Sequence, residues 1–65
     1  MAVIHMHILE GRNQEVKTRL IAEVTDAVSR TLQSSPDWIL VMLHEISKDN
    51  TNAGGKTPGR GQNDE

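Results

Sequence analysis

The sequence predicts an α/β fold built on a single βαβ unit, and three observations carry that reading. A segment of period two opens the chain, an apolar stripe at three- and four-residue steps follows it, and a short, almost unbroken apolar run comes next. Two strands joined through a long helix are expected to lie parallel, with a right-handed crossover. The unit takes up residues 1–56, and the polar remainder, 57–65, reads as a flexible tail.

In AVIHMHIL, Ala2, Ile4, Met6 and Ile8 fall on one face of a strand, and Val3, His5, His7 and Leu9 on the other. Glu10-Gly11 breaks the strand. Asn13 suits a helix cap, and Glu15 suits the positive end of the helix dipole in the first turn. Val16, Leu20, Val24, Ala27, Val28 and Leu32 make the apolar stripe of a helix running to about Leu32. Its polar side carries two oppositely charged pairs four residues apart, Glu15 with Arg19 and Asp26 with Arg30. Gln33 to Asp37 ends the helix, because Pro36 cannot continue it and disfavours helical geometry at Ser35. The run WILVMLHEI, Trp38 to Ile46, has the pattern of a strand buried on both faces, and Trp38, Leu40, Met42 and Ile46 read as core or interface. Asp49 to Lys56 is expected to form a turn or short hairpin around Gly54-Gly55.

Composition limits what such a unit can be. A chain of 65 residues that is 35% hydrophobic, with Trp38 its only aromatic residue, builds a thin core. The absence of cysteine removes disulfides and the commonest zinc ligands, which leaves oligomerisation as the expected support. One helix covers one face of a two-stranded sheet, so the other face calls for a second copy or a partner. A net charge of -2 argues against nucleic acid or an anionic membrane and is compatible with a small metabolite. No stretch reads as a signal peptide or membrane span, and a soluble, cytoplasmic protein is expected.

HILEGR, His7 to Arg12, followed at once by a helix and then by an apolar strand ending in His44, Glu45 and Ile46, resembles the 4-oxalocrotonate tautomerase family. The similarity runs from residue 2 to about residue 56, and Gly54-Gly55 stands where that family has a late glycine turn. The resemblance implies short subunits that form dimers and then a hexamer, a trimer of dimers. It implies a base at an amino-terminal proline exposed by loss of the initiator methionine, and an arginine that holds a substrate carboxylate. It calls for neither cofactor nor metal. Ala2 stands in the place of the proline, and Arg12 is the retained arginine. A second arginine, expected early in the second strand, falls on Leu40, and the aromatic residue expected before the glycine turn falls on Thr51, or on Asn52 if the loop shifts by one.

The amine of Ala2 can replace a ring nitrogen only if Met1 is removed, since otherwise the Ala2 nitrogen is an amide. A retained Met1 would displace the amine by about 3.3 to 3.6 Å along an extended chain. A free α-amine titrates near 7.7 to 8.0, so roughly a tenth to a fifth is unprotonated at pH 7, and burial beside the positive charge of Arg12 would raise that fraction. Such an amine can take a proton from a 2-hydroxydienoate and return it to a distant carbon. It can also form imines with carbonyl compounds.

Plainer readings compete for several residues. His5 and His7 lie about 6.6 Å apart on one strand face, and with His44 they make a metal site imaginable, although a hydrogen-bonded interface role is the simpler one. NAGGKT ends like a phosphate-binding loop, but no strand leads into it and Pro58-Gly59 follows where a helix should start. Lys48, Lys56 and Arg60 read as solubilising charges. The expected function is therefore that of a tautomerase-like subunit of a homo-oligomer, acting on a 2-oxo or 2-hydroxy acid with weak or altered activity. The alternative is a catalytically silent or assembly subunit of a homo- or hetero-oligomer, with a paralogous chain as the partner in the second case.

Overall fold

The computed structural model describes residues 1–56; the expected tail, 57–65, lies outside the described residues. Strand β1 (Ala2–Leu9), helix α1 (Gln14–Leu32) and strand β2 (Ile39–Ile46) follow in order, with short 3-10 turns at Pro36–Trp38 and Lys48–Asn50. The strands pair in parallel, from Ala2 opposite Ile39 to Leu9 opposite Ile46, and the Glu10 N–H donates to the Ile46 carbonyl at 3.0 Å to extend the ladder.

Helix α1 starts where its cap places it: the Asn13 Oδ1 accepts from the Val16 N–H at 2.9 Å. It ends at Gln33, whose φ of 54° and ψ of 45° turn the backbone left-handed. The Ser29 hydroxyl donates to the Ser34 carbonyl at 2.6 Å, and the Ser34 N–H donates back to the Ser29 carbonyl at 3.1 Å, closing this end. Strand β2 begins one residue later than the sequence suggests. Ser35 caps the 3-10 turn and Pro36 presets its first φ, which draws Trp38 out of the strand and leaves it 60% exposed.

The even-numbered residues of β1 face α1 together with Ile39, Val41, Leu43 and Glu45. The side of α1 that meets them differs from the apolar stripe in the sequence. Leu20, Ile21, Val24 and Val28 are half-buried there with Lys17, Thr25 and Ser29, while Val16, Ala27 and Leu32 stay exposed. Lys17 can turn inward because its ammonium meets the Glu45 carboxylate at 3.0 Å. Thr25 satisfies its hydroxyl on the Ile21 carbonyl at 2.8 Å. Of the charged pairs expected on the outer side, Asp26 and Arg30 meet at 3.1 Å. Glu15 and Arg19 form no ion pair, and Gln14 instead donates to the Thr18 hydroxyl at 3.1 Å.

The opposite face of the sheet is bare. It carries Val3, His5 and His7 of β1 beside Leu40, Met42 and His44 of β2, and Val3 and Leu40 are each about half exposed. Among the described residues not one side chain is fully buried. No helix among them is long and apolar enough to cross a membrane.

Candidate active site

The residues singled out by sequence fall at opposite ends of the sheet. Ala2 begins β1 and pairs with Ile39, so Ala2 and Leu40 share the amino ends of the two strands. Arg12 lies beyond the other end, where its Nη1 donates to the Leu9 carbonyl at 3.0 Å. Thr51 follows the 3-10 turn after β2 and is half-buried at that same carboxyl end. Seven steps separate Ala2 from Leu9, about 23 Å at roughly 3.3 Å per residue. Within one chain, then, Arg12 and the Ala2 nitrogen are too far apart to touch one molecule of metabolite size, and Arg12 does not lie beside its own chain's Ala2 as the sequence suggests.

Local geometry at the Arg12 end is tightly set. Gly11 has φ +123°, a conformation rarely adopted by residues with a side chain, and it turns the chain from β1 toward the cap of α1. The Lys48 N–H donates to the Glu10 Oε2 at 3.2 Å, which ties the exit of β2 to the exit of β1. Further along, Ala53 and Lys56 bridge in antiparallel fashion at 3.0 and 3.3 Å. Gly54 and Gly55 turn between them with φ of 67° and 83°. Within NAGGKT, Ala53 to Lys56 therefore make a tight hairpin turn, whose two positive φ angles demand glycine.

Three features had little or no signal in the sequence. The histidines form a column on the bare face, with His44 stacked on His7 at 4.7 Å and on His5 at 5.2 Å between ring centroids. The rings lie 16° and 14° from parallel, respectively, and the His5 Nδ1 and His44 Nε2 are 2.9 Å apart, a hydrogen bond in which one ring donates and the other accepts. Among the described residues no group of three potential ligands is arranged to hold a metal ion. The Lys17–Glu45 pair and the placement of Lys48 over Gly11 are the other two. Only the alternation of HMH hinted that His5 and His7 share a face; register placed His44 opposite His7, with its ring stacked on both.

A parallel βαβ subunit with its first strand at the amino terminus, a retained arginine past that strand's far end and one bare sheet face defines a tautomerase-like class. The tautomerase enzyme family model matches residues 3–61, and the chain belongs to that family of isomerases. It is 41% identical over 56 residues to a probable tautomerase of Halalkalibacterium halodurans, covering 86% of this chain and 92% of the relative. It is likewise 41% identical over 56 residues to a 2-hydroxymuconate tautomerase of Pseudomonas putida, with coverage of 86% and 89%. Among solved structures, a chain from the 4-oxalocrotonate tautomerase isozymes of Methylibium petroleiphilum superposes with a TM-score of 0.87 at 33% identity, over 97% of this chain and 98% of that one.

Proposed function

We propose that the chain is a subunit of a proton-transferring isomerase for 2-hydroxydienoates or 2-oxo acids, and that its site forms only between copies. The Ala2 amine, freed by removal of Met1, is the base. Arg12 of a neighbouring copy holds the substrate carboxylate by charge-assisted hydrogen bonds. The observation that carries this reading is the separation of the two groups by the whole length of β1. A bare face holding Val3, Leu40 and Met42 supports self-association, with a homohexamer favoured, since exposed apolar surface of this kind needs a cover. An acyclic primary amine has more freedom than a ring nitrogen, so activity is weak or altered.

Leu40 favours a second reading. An apolar side chain, 51% exposed, stands where the family's second arginine is expected, which removes one carboxylate ligand. On that reading the chain is an assembly subunit, lending Arg12 to a site whose amine comes from a paralogous chain.

Intact mass of the purified protein, with ketonisation of 2-hydroxymuconate and phenylenolpyruvate, tests the proposal. Loss of Met1, ketonisation above the buffer rate and its abolition in Arg12→Ala are expected. Ketonisation with Met1 still present would overturn the role of Ala2. Loss of Met1 without any ketonisation would favour the assembly subunit.

A further inference from the structure

Lys48 belongs by composition to a polar, solubilising stretch, yet its position is closely determined. The Ser47 hydroxyl accepts from the Asp49 N–H at 3.2 Å and opens the 3-10 turn. The Lys48 N–H is held by the Glu10 carboxylate at 3.2 Å, and the Glu10 N–H is held by the Ile46 carbonyl at 3.0 Å. These bonds bring the Lys48 side chain back over the turn after β1, where its Nζ lies 3.9 Å from the place a Gly11 methyl would occupy. The next residue is Arg12.

Among the described residues, neither cation is paired with a carboxylate. The ion pairs among the described residues are Lys17 with Glu45 and Arg30 with Asp26. Glu10, the nearest acid in sequence, accepts from the Lys48 backbone and forms no ion pair with either side chain. Arg12 spends one N–H on the Leu9 carbonyl at 3.0 Å, which leaves the rest of its donor fork unused. Gly11, which precedes Arg12 and lies under the Lys48 ammonium, brings no side chain of its own to this turn. At the other end of the sheet Leu40 offers no charge at all.

We propose that Lys48 is a substrate-binding residue which forms, with Arg12, one two-cation seat for a carboxylate and the 2-oxo or enol oxygen beside it. Arg12 grips the planar carboxylate with its fork, and Lys48 supplies a point charge to the neighbouring oxygen. With both cations at one end, the chain is selective for acids bearing a single carboxylate. This rests on the reading of Arg12 as the carboxylate ligand.

Calorimetric titration of the full chain with benzoylformate tests the seat separately from catalysis, because this 2-oxo acid has no α-hydrogen to transfer. Lys48→Gln is expected to weaken binding about tenfold, the loss of one hydrogen bond to a charged group, while Lys48→Arg restores it and Lys56→Gln leaves it unchanged. The dicarboxylate cis,cis-muconate should bind no more tightly than benzoylformate. In turnover of phenylenolpyruvate, Lys48→Gln should raise KM by a similar factor with little change in kcat. An unchanged Kd in Lys48→Gln, no binding by the parent chain, or clearly tighter binding of the dicarboxylate would overturn the proposal. A tenfold effect of Lys48 on benzoylformate in a chain that ketonises nothing would leave the seat standing and remove the isomerase reading. Ketonisation indifferent to Lys48 would do the reverse.

Discussion

The His5 Nδ1 and the His44 Nε2 face each other at 2.9 Å across the parallel ladder, on the face of the sheet that α1 leaves bare. One ring must donate and the other accept, so at least one of the two has to be neutral. His44→Ala removes this partner of His5 together with both ring stacks. If a second copy covers this face, the variant should self-associate more weakly, which sedimentation at micromolar concentration measures.

The Lys17 side chain is only 16% exposed, and its ammonium has the Glu45 carboxylate as its ion-pair partner. Glu45→Ala leaves that charge half-buried without its partner and should cost about 1–2 kcal/mol in urea unfolding. Lys17→Met, which removes the charge and keeps the packing of the stem, should be close to neutral.

A side chain at Gly11 would meet nothing closer than 3.9 Å, so the penalty for Gly11→Ala comes from its φ of +123° rather than from crowding. About 1–3 kcal/mol is expected for holding a non-glycine residue there. Part of that strain should relax by turning Arg12 away, and ketonisation should fall together with stability. Urea midpoints and KM measured on the same preparation would show both effects.

Ala2→Pro restricts the amine to a ring. With Met1 removed, kcat for phenylenolpyruvate should rise by about tenfold or more, because the base then spends more of its time in reacting geometry. No gain in a variant whose intact mass shows Met1 absent would mean that the amine is not the base.

Much of the fold was legible in local signals. The alternation in AVIHMHIL, the cap at Asn13 and the stop at Ser35-Pro36 each act within a few residues, and each element lies within a residue of where they put it. The inward side of α1 was legible at Leu20, Val24 and Val28 but not at Lys17, which turns inward only on account of Glu45, 28 positions away. The histidine column and the placement of Lys48 depend in the same way on parallel register, which no short window of sequence contains. Arg12 was identifiable as a candidate through HILEGR. Its distance from Ala2 follows from the eight residues of β1 that lie between the two ends.

Subunit mixing tests the shared site most directly. Arg12→Ala retains the amine and lacks the guanidinium; Ala2→Leu, whose larger second residue keeps Met1 in place, lacks the amine and retains Arg12. Each should be inactive alone. Unfolded together and refolded in equal amounts, they should recover about one quarter of parental ketonisation, the share of sites that draw an intact group from each copy in a randomly mixed symmetric oligomer. No recovery in a mixture that native mass spectrometry shows to contain both chains would contradict a site built between copies.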